Sequence, residues 1–461
     1  MLRRLSTAMP SRFAGRAADE PDGAVVSPPA EAPDHDDTSS NLELKMRLHQ
    51  QLLDMMNLAA IDKMPPEEFR REVGEMVREL LAREQVPLNV KEKSQFVADI
   101  LDELLGLGPL EPLLKDHSIS DILVNTHRQV FVERRGQLYM TSVQFKDERH
   151  LLRIINKIVS VVGRRVDESQ PLVDARLADG SRVNAVIPPV AVDGPLLSIR
   201  KFAKTPFDMR RLVDMGTLSP EMAEVLESVV KGRLNILISG GTGSGKTTML
   251  NAMSRAIDIR ERIVTIEDAA ELQLQQPHVA RMETRPVNIE GRGEITQRDL
   301  VKNALRMRPD RIILGEVRSG EAFDMLQAMN TGHDGSMSTI HANTCRDALS
   351  RLEQMIGMAG LEMSARAIRG QIASAIDAVL QLERMSDGKR RLVSVHEVTG
   401  MEGDVITMNE IFRFQRRCTD PEGNIQGNYW ATGIRPKFYA EIEAKGIHLP
   451  INIFSPDKPL G

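Results

Sequence analysis

Residues 240–247 read Gly-Gly-Thr-Gly-Ser-Gly-Lys-Thr, the spacing G-x-x-x-x-G-K-T of a phosphate-binding loop. Its glycines, Gly240, Gly241, Gly243 and Gly245, let backbone N–H groups turn inward around phosphate oxygens, with Thr242 and Ser244 between them. A helix starting at the loop adds partial positive charge. The pattern gives Lys246 to the β- and γ-phosphates, the Thr247 hydroxyl to Mg²⁺ and Thr248 to the α-phosphate side. The residues before the loop, Leu234 to Ser239, form a short apolar run suited to a buried parallel strand. Those after it, 246–256, contain no helix breaker. The loop therefore predicts a nucleoside triphosphate, ATP with Mg²⁺, as ligand.

Three further segments bear on what is done with that ligand. Asp310 to Glu316 is an apolar strand ending in a carboxylate, and Glu316 is placed to complete the Mg²⁺ shell or to activate water. Thr265-Ile266-Glu267-Asp268, followed by Glu271, is a second strand ending in acids, and Glu267 is a candidate base. The spacing leaves open which of the two carboxylates is the base. Residues 332–343 form a third strand ending at His341, which is placed to sense the γ-phosphate, with His333 as a supporting group. No Cys/His spacing suggests zinc.

The elements that must position these groups are legible in outline. The 461 residues suffice for two or three domains. Sixty Lys+Arg against 65 Asp+Glu give a net charge of −5, so no basic field invites nucleic acid. Two cysteines fit a reducing compartment, hence a cytoplasmic setting. No apolar run approaches the ~18 residues that span a membrane. Residues 1–40, rich in Ala, Pro, Ser and Asp, read as a disordered tail, and 41–115 as a helical bundle with apolar residues at 3.6-residue spacing. Residues 116–205 read as an α+β domain with turn signals at Arg135-Gly136 and Asp179-Gly180. Residues 206–216 read as a linker, and 217–461 as an α/β domain in which strands at 234–239, 263–267, 311–315 and 336–340 alternate with helices around a parallel sheet. A further helix is expected over 364–379 and late strands over 391–415.

The order of these boxes resembles the secretion-ATPase superfamily that serves type II secretion, type IV secretion and type IV pili. Within it, Gly106-Leu107-Gly108-Pro109-Leu110, Val173-Asp174-Ala175-Arg176-Leu177, Gly180-Ser181-Arg182-Val183-Asn184 and Leu197-Ser198-Ile199-Arg200-Lys201-Phe202 are similar to the CpaF/TadA ATPases of Tad (Flp) pilus assembly. The resemblance covers roughly residues 90–415. It implies a PAS-like α+β domain ahead of a RecA-like ATPase domain, a homo-hexameric ring, and nucleotide held between the two domains. It also implies that Arg182 and Arg200, with Arg176 a weaker candidate, reach the phosphates, where guanidinium stabilises transition-state charge. The partners it implies are platform proteins of the inner membrane, at whose inner face the ATPase would work.

The expected chemistry is Mg²⁺-dependent ATP hydrolysis driving one domain against the other about 206–215. Extension and retraction of a pilus both remain open, and a type IV secretion ATPase is the nearest alternative within the superfamily. A nucleic-acid translocase is disfavoured by the acidic balance and the 16 aromatic residues. An assembly that binds ATP without splitting it is disfavoured by the paired carboxylates.

Overall fold

The computed structural model describes residues 66–83, 89–134, 136–202, 207–285, 287, 292–360 and 362–461. The expected disordered tail, 1–40, lies outside them, as does the start of the expected helical bundle. The chain divides into two compact units, 1–104 and 105–461.

In the first unit, helices α1 (Pro66–Arg83) and α2 (Val90–Leu105) share a small core of Val73, Val77, Leu80, Leu81, Phe96, Val97 and Ile100. The 3.6-residue spacing puts these side chains on one stripe of each helix. Asn89 starts α2 through a reciprocal cap: its Oδ1 accepts from Glu92 N at 2.9 Å, and Glu92 Oε2 accepts from Asn89 N at 2.8 Å.

The second unit holds two sheets. The first is antiparallel and six-stranded, in order β3-β2-β1-β6-β5-β4. Its strands are β1 (Ile119–Thr126), β2 (Gln129–Arg134), β3 (Gln137–Met140), β4 (Leu172–Arg176), β5 (Arg182–Val186) and β6 (Leu196–Arg200). Helix α3 (Glu111–Lys115) precedes it, and α4 (Glu148–Val161), capped by Asp147, buries Leu151, Ile154, Ile155 and Ile158 against one face. Both turn signals stand where expected: β2 and β3 pair across Gly136, and β4 and β5 flank Gly180.

The expected linker is not irregular throughout, because Met209–Asp214 form α5. Asp208 caps it by accepting from Arg211 N, and Met209 and Leu212 are buried. Helix α6 (Pro220–Lys231) begins at the Ser219 cap with Pro220 in its first turn, as the sequence indicates.

The second sheet has nine strands, in order β15-β14-β13-β12-β7-β11-β10-β8-β9. The expected strands are β7 (Ile236–Gly240), β8 (Ile263–Glu267), β10 (Arg311–Val317), β11 (Met337–Ile340), β13 (Arg390–Glu402) and β14 (Val405–Thr419). Three more join them: β9 (Val279–Glu283), β12 (Ala378–Arg384) and β15 (Ile425–Ala431). From β12 to β9 the pairing is parallel, and β13 to β15 are antiparallel. Helices α7 (Lys246–Ser254), α8 (Gln297–Ala304), α9 (Glu321–Asn330), α10 (Cys345–Met358), α11 (Ala365–Ala375) and α12 (Phe438–Ala444) complete the unit.

Alternation along β7 shows that both faces are covered. Ile236 and Ile238 enter one core with α6 and α7, while Leu237 enters the other with α8 to α11. Each such side chain is fully buried, worth about 1.5–3 kcal/mol. A sheet covered in this way leaves its strand ends as the place where polar groups can meet a ligand. Among the described residues no helix is long and apolar enough to cross a membrane.

Candidate functional site

The phosphate-loop strand β7 is flanked by β11 and β12, and the Glu316 strand β10 lies one place beyond β11. The C-terminal ends of β7, β11, β10 and β8 therefore bring the loop, His341, Glu316 and Glu267 to one edge. Gly240 shows why the loop needs glycine. A Cβ there would lie 2.4 Å from Ser244 Oγ and 2.5 Å from the Leu382 carbonyl.

Lys246 is buried under the loop, with its Nζ donating to the carbonyls of Gly240 and Gly241 at 3.0 Å each. The same Nζ lies 3.4 Å from His341 Nδ1. Burial pushes the Lys246 pKa down, and the Glu316 carboxylate opposes that shift. His341 Nε2 is 3.0 Å from Glu316 Oε1. Burial, and then the Lys246 charge, hold the imidazole pKa below its ordinary value. A neutral ring therefore donates from Nε2 to the carboxylate and offers Nδ1 to the ammonium. Glu316 Oε2 accepts from Arg318 Nη2 at 2.7 Å, and Arg318 Nη1 reaches Asp268 Oδ2 at 2.9 Å. Lys246, His341, Glu316, Arg318 and Asp268 thus form one charge-alternating chain.

Thr247 and Thr248 face a second group. With Asn251 they line a cavity of about 210 Å³ whose other wall carries Arg182, Arg200 and Phe202 of the antiparallel sheet. The two sequence-predicted arginines therefore line one cavity with the start of the loop helix. Arg182 Nη1 binds Glu271 Oε1 at 2.6 Å, and Arg200 Nε binds Asp121 Oδ1 at 3.2 Å. Arg176 pairs with Glu283 at 2.9 Å and does not line this cavity. His333 also stands apart: it precedes β11, and its Nδ1 sits 3.2 Å from the Ala328 carbonyl.

Glu267 is at the same edge but faces elsewhere. Its Oε2 accepts from the backbone N–H groups of Glu271 and Leu272 at 2.7 and 2.9 Å. It so fixes the turn that presents Glu271 to Arg182. Its Oε1 is buried without a hydrogen-bond partner among the described residues. Burial raises its pKa from 4.5 to about 7, against the pull of the two N–H groups. The folded chain thus keeps a proton that the unfolded chain releases above pH 4.5, and stability falls as pH rises through that window to about 7. That loss amounts to about 3 kcal/mol. Glu267→Gln is expected to remove it, so that the variant gains stability over the parent at pH 8 but not at pH 4.5. Urea midpoints at the two pH values measure this, and an equal difference at both would refute the assignment.

The donors present fit a magnesium nucleotide. Among the described residues no group of three or more His, Cys, Asp or Glu could hold a metal alone. A hydroxyl at Thr247, a carboxylate at Glu316 and an anion-binding loop are instead the set that suits Mg²⁺ shared with phosphate oxygens and water. Sequence reasoning missed Arg318, which lies just past the end of β10 and two residues after Glu316. It also missed Arg384 and Arg390, for which no local pattern existed.

Comparison with known proteins gives the context. Residues 103–419 match the family described as type II/IV secretion system protein. The chain is 40% identical over 309 residues to a putative conjugal transfer protein of Mycobacterium tuberculosis (strain H37Rv), covering 66% of this chain and 87% of that one. It is 33% identical to the conjugal transfer protein TrbB of Rhizobium radiobacter, covering 63% and 86%. It is 31% identical to the type IV secretion system protein VirB11 of Bartonella quintana, covering 64% and 92%.

Proposed function

The chain belongs to the type II/IV secretion system protein family, and from that premise we propose that it is an Mg²⁺-dependent ATPase of the Tad pilus-assembly type. The observation that carries this is the meeting of two charge sets at one loop. Lys246, His341 and Glu316 lie on one side, and Arg182 and Arg200 from a separate sheet lie on the other. A site shared between two sheets can convert the state of a phosphate into a movement of one against the other.

In this mechanism Lys246 exchanges the loop carbonyls for the β- and γ-phosphate oxygens. Thr247 and Glu316 would hold Mg²⁺, which supplies charge neutralisation between those oxygens. Glu316 orients the attacking water, and His341 carries its displacement to Lys246. Arg182 leaves Glu271 to stabilise charge in the transition state, with Arg200 beside it. The antiparallel PAS-like domain then shifts against the RecA-like domain about residues 206–216. In a homo-hexameric ring at the inner membrane, these shifts would act on platform proteins.

Phosphate release from Mg·ATP by the full chain, together with its mass in solution with and without nucleotide, tests the reading. Mg²⁺-dependent turnover by a hexamer is expected, unaffected by DNA. Nucleotide binding with no release would leave an assembly held together by ATP, and DNA-stimulated release would make it a translocase. The conjugal relatives support a second reading, a type IV secretion ATPase. A null strain that retains surface pili but loses substrate transfer would select it.

A further inference from the structure

Two arginines outside the expected site touch the phosphate loop. Both flank the turn between β12 and β13 and are half-buried. Arg390 Nε donates to the Gly243 carbonyl at 2.8 Å, its sole hydrogen bond among the described residues, and its Cδ packs 3.3 Å from where a Cβ on Gly245 would stand. Arg384 lies alongside. Its Nη1 is 3.5 Å from the Cβ position of Gly243, and its Nη2 donates to the carbonyl of Gly136, between β2 and β3. Arg384 also faces Glu133 of β2 across 4.0 Å. The Cβ position of Gly136, whose φ is +84°, lies 2.9 Å from Arg384 Nη2, so a side chain there would strain the turn and displace the guanidinium. The two side chains thus lie side by side, Arg390 binding the phosphate loop and Arg384 binding the sheet that carries Arg182 and Arg200.

The charges on this bridge are not balanced. Two guanidiniums sit side by side, and the carboxylate nearest them is 4.0 Å from Arg384. Burial, and then the Arg384 charge, push the Arg390 pKa down. A polyphosphate in the loop would supply the missing negative charge and draw both arginines toward it. The backbone they hold on either side, Gly243 and Gly136, must follow or lose its donor.

We propose that Arg384 and Arg390 form a relay from the phosphate loop to β2 and β3, by which the antiparallel sheet registers whether a nucleoside polyphosphate fills the loop. This relay rests on the nucleotide reading of the site but differs from the Arg182 and Arg200 contact. It acts through loop backbone and does not touch the ligand. Arg384 and Arg390 are positioning residues in this scheme.

Hydrogen exchange of the full chain, with and without Mg·ADP, tests it, with affinity measured in parallel by calorimetry. In the parent chain, Mg·ADP is expected to change exchange in β2 and β3 by about fivefold or more, as for a segment whose tether to Arg384 is pulled or released. Arg384→Gln is expected to abolish that change while lowering Mg·ADP affinity by no more than about fivefold, the factor that the coupling itself carries. Arg384→Lys, which keeps the charge but not the fork, is expected to restore only part of it. A parent chain that binds Mg·ADP with no change in β2 and β3 would overturn the relay and leave the nucleotide reading intact. So would an Arg384→Gln chain that keeps the change. A parent chain that binds no Mg·ADP would overturn both.

Discussion

A Lys246→Ala chain is expected to lose 10²–10³-fold or more in kcat/KM for Mg·ATP, about 3–4 kcal/mol of transition-state stabilisation, as when one preorganised charge contact is removed. The size follows from where the ammonium sits. Lys246 is buried, and its partners are two loop carbonyls and a neutral imidazole. None of these compensates a full charge, so the ammonium is held at a cost that phosphate oxygens remove on binding. Deleting it should leave the fold unharmed, because no buried carboxylate loses its only partner: Glu316 keeps Arg318 and His341. Lys246→Arg should not rescue turnover, since a planar fork does not fit the space a slender chain occupies beneath Gly240 and Gly241. Phosphate release and thermal unfolding measured on the same preparations separate the two effects. A Lys246→Ala chain with parental turnover would sink the nucleotide mechanism at its root.

The loop, the strand before it and the strand-end acids could be read from sequence because each is a local pattern. Glycine spacing, a short apolar run and a terminal carboxylate need no knowledge of distant residues. Where the pattern was ambiguous, the expectation slipped. The helix expected over 364–379 takes in Ala378 and Val379, yet α11 stops at Ala375 and β12 begins three residues later. Short apolar runs read equally as helix or strand, and what decides this one is the pairing of β12 with β7, a tertiary contact. β9 and β15 stayed hidden for a related reason. They flank the sheet with half-exposed, mixed sequence that carries little period-2 signal.

The site followed the same rule. Arg182 and Arg200 were reachable only through a family resemblance, because nothing near them in sequence marks a surface arginine as a phosphate ligand. Arg384 and Arg390 lie some 140 residues beyond the loop they touch, and no motif joined them to it. Glu267 shows how a local pattern can carry more than one role. Its position in a strand-end acidic box suggested a base, and the structure gives it a further task in holding the turn at 271–272.

Glu316→Gln is the substitution that separates the two carboxylates, and it is expected to lower kcat by 10²–10³-fold and to weaken Mg·ADP by a smaller factor, since an amide oxygen can still reach Mg²⁺. Glu316 is linked to Lys246 through His341, and its carboxylate opposes the downward shift of the Lys246 pKa, so on the proposed mechanism it would stand beside the γ-phosphate and its water. Its side chain is held from both sides, by His341 at Oε1 and Arg318 at Oε2. An isosteric amide keeps that placement and loses only the charge. Glu267 has one oxygen tied to backbone N–H groups and the other buried. Its substitution by Gln should therefore cost kcat less, acting through the Glu271 turn and Arg182. The pH profile gives a second, independent readout. If Glu267 were the base, kcat would rise through about pH 7, where it loses its proton. With Glu316 as the water-orienting group, the step near pH 7 should be shallow in the parent chain and absent from Glu267→Gln, which retains most of its turnover. A Glu267→Gln chain as inactive as Glu316→Gln, beside a parent profile rising tenfold per pH unit below 7, would move the base from Glu316 to Glu267.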